Sequence, residues 1–202
     1  MRDPEAHDNN VRDRTEVLYG TDNVINNELR FFSETKIRID TCMDYTRPAL
    51  AIGTEAIRKS FVEAKRKGVQ LRYLTEITND NLSYCKEIMS MVDEVRHLDG
   101  IKGNFMISES EYLATTGSHD KKPADVIIFS NVKEIVEHQQ YVFRTFWDKA
   151  MPAEQKIREI EEGIVHYDTR IINDSQQIIK EIHRLIADSN ELYSFLTTGG
   201  IE

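Results

Sequence analysis

The residues that chemistry would use are concentrated between Glu94 and Asn131. Short apolar runs there, Val95 with Leu98, Phe105-Met106-Ile107, Tyr112-Leu113-Ala114 and Val126 to Phe129, are separated by Gly, Asp, Ser and Pro. That pattern predicts four strands with tight connections, followed at once by a helix. Histidine is the residue type most suited to nucleophilic or acid–base work at neutral pH. His97, between Arg96 and Leu98, reads as a strand residue with satisfied nitrogens, and His138, beside Glu137, as a surface or packing residue of a helix. His119-Asp120-Lys121 falls in a loop marked by Pro123 and is set aside. Asp44, Arg47 and Glu76 follow the ends of expected strands, where open α/β sheets place their ligands. Surface charge pairing explains those three about as well.

Such residues need a sheet to hold them, and the flanking chain supplies its elements. Val24, Ile25, Leu29 and Phe32 recur at helical spacing and predict a helix over 21–35, with Thr21 or Asp22 to cap it. Arg38 to Met43 reads as a strand and Asp44 to Pro48 as a turn-rich exit from it. A helix over 54–67 carries Ile57, Phe61 and Ala64 and stops at Gly68. Val69 to Glu76 is a second strand, and Asn79 or Asp80 caps a helix carrying Leu82, Cys85, Ile88, Met89 and Val92. This alternation predicts an α/β sheet covered on both faces. Val132 to Ala150 has the clearest helical pattern, and Pro152 suits the first turn of a further helix. From Ile157 through Ile171, Ile178 and Ile186 the isoleucines predict one long, nearly coiled-coil helix that needs a partner. The expected plan is a disordered arm over 1–14, a domain over 15–150 and a helical extension over 151–202.

Composition narrows the class. With 202 residues, 40% hydrophobic and 30% charged, the chain can fill a core and has the balance of a globular protein. A net charge of −9 argues against a broad nucleic-acid-binding face. No run of about 18 apolar residues occurs and the start lacks a signal-peptide core, so a cytoplasmic chain with no membrane partner is expected. Cys42 and Cys85 lie far apart, without a metal-ligand pattern, and read as reduced, buried thiols. No cofactor motif is found, and no Gly-rich ATP-binding segment.

The order Arg96-His97-Leu98, Phe105-Met106-Ile107, Ser130-Asn131 and a helix ending Phe146-Trp147 resembles half of a phospholipase D-like domain. That family carries His-x-Lys-x4-Asp on the strand here, and the residues in register are Lys102, Asn104 and Glu109. The spacing is kept and the chemistry is lost: an ammonium offers no lone pair for attack on phosphorus, and an amide offers no cation for phosphate. The resemblance therefore implies a disabled catalytic pocket, with Lys102, Asn104, Glu109 and Asn131 as candidate ligand-binding residues and Asp44, Arg47 and Glu76 completing it. Longer phrases, Thr41 to Pro48, Leu71 to Thr78, Arg96 to Phe105 and Glu134 to Tyr141, resemble the amino-terminal input region of archaeal sensor histidine kinases. A weak echo of Tyr19 to Ile25 in Tyr167 to Ile172, and of the first strand in Leu192 to Leu196, suggests the start of a truncated second half.

The expected fold is thus a phospholipase D-like mixed sheet flanked by helices and followed by a long C-terminal helical segment. The resemblance implies a non-catalytic sensor domain that binds an unknown small ligand, forms a homodimer through its C-terminal helix and works ahead of a kinase module. Two alternatives stay open: a phosphodiesterase or nuclease with a rebuilt site, and a helix-mediated dimerisation or adaptor module.

Overall fold

In the computed structural model, which describes residues 13–115, 124–164 and 174–188, one mixed sheet organises the chain up to Ile164. Its strands are β1 (Thr15–Tyr19), β2 (Arg38–Met43), β3 (Gln70–Thr75), β4 (Glu94–His97), β5 (Phe105–Ile107), β6 (Tyr112–Thr115), β7 (Val126–Ser130) and β8 (Met151–Pro152). They lie in the order β1-β7-β6-β5-β2-β3-β4-β8. β2, β3 and β4 run parallel, joined by helical crossovers, and the other pairings are antiparallel.

Helices cover both faces. α1 (Thr21–Glu34), α3 (Glu55–Arg66) and α4 (Leu82–Met91) bury Val24, Phe31 and Phe32, then Ile57, Phe61 and Ala64, then Cys85, Ile88 and Met91. These join Ile39, Leu71, Tyr73, Met106 and Phe129 from the sheet in the larger core. The short α2 (Arg47–Gly53) belongs to the same layer. α5 (Lys133–Lys149) covers the other face: Val136, Phe143 and Trp147, at helical spacing, pack with Cys42, Leu74, Phe105 and Ile107. Asp40, almost wholly buried, is held there by Nε and Nη2 of a bidentate Arg72 at 2.7 and 2.8 Å and by Arg38 at 3.0 Å. Arg72 lies over the Phe143 and Trp147 rings, and Arg96 over Trp147, whose carbonyl also accepts a hydrogen bond from Arg96.

Several elements differ from the sequence expectations for local reasons. β1 is an edge strand of five residues, exposed at alternate positions, and β8 has two residues, so neither leaves a legible period. The exit from β2 becomes α2 after Arg47, with Pro48 in its first turn. α1 is entered through Gly20, at φ 98°, and α4 through Asn81, so neither Thr21 or Asp22 nor Asn79 or Asp80 is the cap. Asn81 spends its side chain elsewhere: it accepts from Thr78 N–H and donates to the Tyr45 and Glu76 carbonyls, tying two loops together. Gly68, at φ 86°, ends α3 as expected.

The segment from 151 contributes to the sheet domain before leaving it. β8 pairs with β4, and α6 (Ala153–Glu161) buries Ala153 and Ile157, so the boundary falls after Ile164 rather than at 150. Gly163, at φ 65°, ends α6, so the isoleucine pattern from Ile157 is not one continuous helix. The second unit runs from Val165 to Glu202, and α7 (Ser175–Asp188) is its described part. Asp174 caps α7 by accepting from Gln177 N–H, and Ile178, Ile179, Ile182 and Ile186 form an exposed stripe along it. The echoes at Tyr167 to Ile172 and Leu192 to Leu196, residues 1–12 of the arm expected over 1–14, and His119 lie outside the described residues. No helix among the described residues is long and apolar enough to cross a membrane.

Candidate functional site

The carboxyl ends of β2 and β3 meet the start of β5, because β5 runs antiparallel beside β2. Asp44 follows β2 there. One of its oxygens accepts from Thr46 N–H at 2.9 Å and from the Thr46 hydroxyl at 2.6 Å, a turn that launches α2. The other accepts from the Asn104 amide nitrogen at 2.6 Å, while the Asn104 amide oxygen accepts from Asp44 N–H at 3.0 Å. Asn104 is buried, and its backbone carbonyl accepts from Thr115 N–H. Partial burial works to raise the Asp44 pKa, but the Thr46 and Asn104 hydrogen bonds and the nearby Arg47 outweigh it and hold the carboxyl below its usual range. The pair thus fastens the β2–α2 loop to β5.

Asp44, Arg47 and Asn104 are therefore neighbours at one strand end. Glu76 stands at the adjoining strand end, accepting from Gly100 N–H at 3.3 Å. Lys102 is exposed, two residues before Asn104. Glu109 and Asn131 do not join them. Asn104 and Glu109 are five steps apart along the chain through β5, up to roughly 16 Å at 3.3 Å per residue, which puts Glu109 at the opposite end of the sheet. There it accepts from Lys36 N–H at 2.9 Å and from Ile37 and Arg38 N–H at 3.4 Å. Partial burial works to raise its pKa, but these backbone donors prevail and lower it. Asn131, at the end of β7, accepts from Arg14 N–H at 2.7 Å and anchors the entry to β1. Both hold backbone segments in place, so the expectation that they line the pocket is corrected.

His97 is a satisfied core residue, as its setting predicts. Its Nδ1 accepts from Ile77 N–H at 2.9 Å, which leaves the proton on Nε2 for Asp99 at 3.0 Å. Burial lowers its pKa against the pull of Asp99. His138 is exposed on α5. Cys42 and Cys85 are fully buried, and burial pushes both thiols up to about 12.

Beneath α1, α2 and α3 lies a cavity of about 110 Å³, floored by Thr41, Met43, Tyr73 and Met106. Its walls are mostly apolar, with Glu28 and Arg47 the charged groups lining it. Burial raises the Glu28 carboxyl from its ordinary 4.5 to about 7, against the opposing effect of Arg47. Arg47 links the cavity to the Asp44–Asn104 pair. Glu28, Thr41 and Tyr73 are absent from the sequence-derived candidates. The signal for Glu28 was present: it sits at i+4 from Val24 and i−4 from Phe32, a carboxylate inside an apolar helical stripe.

No family model matches the sequence, and no curated protein matches it. Solved structures do share its fold. The chain is similar to a phospholipase D family member, Nuc from Salmonella typhimurium, with 14% identity and a TM-score of 0.55, covering 70% of this chain and 98% of that one. NucT from Helicobacter pylori is similar over 70% and 99% of the two chains, with 11% identity and a TM-score of 0.55. TrmBL2, an archaeal chromatin protein described with a novel mode of DNA binding, gives 17% identity and a TM-score of 0.53 over 73% of this chain. This chain spans 57% of TrmBL2's length. The fold is phospholipase D-like, a mixed sheet flanked by helices.

Proposed function

We propose that this chain is a non-catalytic signal-input domain that binds a small ligand and passes its occupancy through the C-terminal helix to a histidine-kinase module. The observation that carries the reading is the reciprocal Asn104–Asp44 pair. It supports a strand end that holds its own loop together rather than one that attacks a phosphodiester. Attack on phosphorus by a histidine needs an imidazole with a free lone pair, and His97 has both nitrogens engaged. The cavity beside this pair gives a ligand somewhere to sit. Two buried free cysteines fit a cytoplasmic setting.

The exposed isoleucine stripe of α7 supports a homodimer, since such a stripe is the seam of a two-helix contact. The same stripe favours a second reading, in which dimerisation or adaptor work is the whole function. The DNA binding named for TrmBL2 finds no support in this chain's charge of −9, because phosphate contacts are made by surplus cations.

The test has two parts. Hydrolysis of bis(p-nitrophenyl) phosphate by the purified chain is expected to stay at the buffer rate, and turnover lost in Asn104→Ala would overturn the non-catalytic reading. Amide exchange in α7 is expected to slow or quicken when a ligand is added. An α7 unresponsive to every bound ligand would leave the adaptor reading.

A further inference from the structure

The cavity under α1–α3 carries polar groups that its apolar walls do not explain. Tyr73 and Thr41, each 1% exposed, line it from β3 and β2. The Tyr73 hydroxyl and Thr41 Oγ1 are buried and have no hydrogen-bond partner among the described residues. An unpartnered buried hydroxyl costs about 1–3 kcal/mol, so two of them on residues that line one hollow argue for a polar group within their reach. Volume limits the occupant. At about 110 Å³ the hollow is comparable with an engineered apolar cavity of about 150 Å³ that takes benzene, and unlike that cavity it opens toward solvent, so it suits a single small ring of on the order of five to seven heavy atoms.

Charge limits the occupant further. Arg47 already faces the Asp44 carboxylate and the Glu28 carboxyl, whose burial favours its neutral form. A ligand anion would have to share the guanidinium with Asp44 in an apolar setting that disfavours charge, and a ligand cation would meet the guanidinium at close range there. An uncharged head group avoids both costs. We propose that this cavity is a binding site for a small neutral alcohol or phenol, its apolar body against Phe32, Phe61 and Met106 and its oxygen between Tyr73 OH and Thr41 Oγ1. The inference rests on reading the domain as a ligand-binding input module and names the ligand class that module takes.

The test compares phenol and cyclopentanol with toluene, benzoate and benzylamine in thermal denaturation of the full chain. Phenol and cyclopentanol are expected to raise Tm by about 2 °C or more at saturation, toluene less, and the charged compounds not at all. Tyr73→Phe and Thr41→Val keep side-chain shape and remove one hydroxyl each. Both are expected to match or exceed the wild-type Tm without ligand and to lose most of the phenol-over-toluene difference. Methyl-13C methionine spectra of the wild type give a readout independent of any variant: phenol should shift Met43 and Met106, which line the cavity, and leave Met151 unmoved. Toluene matching phenol, a phenol effect kept in both variants, or unmoved Met43 and Met106 signals would overturn the inference. A phosphorylated compound that binds only in the presence of Lys102 would overturn it and keep the input-domain reading. No binding by any compound would overturn both.

Discussion

The two faces of the sheet treat polar groups in opposite ways. Under α5, Asp40 is clasped by Arg72 and Arg38, Arg72 is covered by Phe143 and Trp147, and Arg96 stacks on Trp147. Under α1–α3, burial raises the Glu28 carboxyl to about 7, and the hydroxyls of Thr41 and Tyr73, residues that line the hollow, have no hydrogen-bond partner among the described residues. A buried charge is tolerated where paired geometry compensates its desolvation, as at Asp40. Groups left uncompensated weaken a fold, and they persist where a ligand or a switch uses them. The α5 face is therefore the internally satisfied one, and the α1–α3 face is the one proposed to hold a ligand.

Breaking the α5 face should give the largest effect. Arg72→Ala would leave Asp40 buried beside Arg38 alone and strip the cation from Phe143 and Trp147. A loss of about 3–5 kcal/mol is expected in urea unfolding, as for one partner of a buried ion pair. A loss under about 1 kcal/mol would mean that α5 is held by apolar contact alone.

The locked strand end comes next. Asn104→Ala removes a donor and an acceptor from Asp44 at once, and about 1–3 kcal/mol should be lost. Asn104→Asp should cost more at pH 7 than at pH 4, because it sets a second carboxylate against Asp44, whose pKa is already lowered. An equal cost at both pH values would show that the two side chains do not meet.

On the α1–α3 face the sign reverses. Glu28 has a raised pKa in the fold, so between 4.5 and about 7 the native state keeps a proton that the unfolded chain has lost. Stability from this group is present at low pH, falls as pH rises through that window and levels off above it. Glu28→Gln should flatten the dependence, with a gain on the order of 2 kcal/mol at pH 8 and little change at pH 4. A variant less stable than the wild type at pH 8 would mean that the Arg47 interaction outweighs burial.

The smallest effect on stability is expected on α7. Ile178→Glu with Ile182→Glu should leave the urea unfolding of the sheet domain within about 0.5 kcal/mol while abolishing any dimer seen by sedimentation. A wild type that sediments as a monomer at high concentration would remove the dimer from the account.

What the sequence made legible follows from range. α3, α5 and the parallel strands announced themselves through local periods, such as Ile57-Phe61-Ala64 and Phe143-Trp147. Asp44 and Arg47 could be placed because strand ends in such sheets are geometrically privileged. Glu109 and Asn131 were misplaced because motif spacing along one strand says nothing about which end of the sheet each residue reaches. β5 itself carries Glu109 to the far end of the sheet from Asn104, beside the loop before β2. The hollow is a property of three helices and four strands at once, and no spacing encodes its volume. Glu28 alone could have been found, as the charged residue in a stripe that should be apolar.

The most direct test of this division of labour is a thermal-shift screen of small neutral and phosphorylated compounds on the wild type, Lys102→Ala and Tyr73→Phe. The account predicts a stabilising compound whose effect survives Lys102→Ala and is lost in Tyr73→Phe. An effect lost in Lys102→Ala and kept in Tyr73→Phe would contradict it, returning the binding site to the degenerate motif.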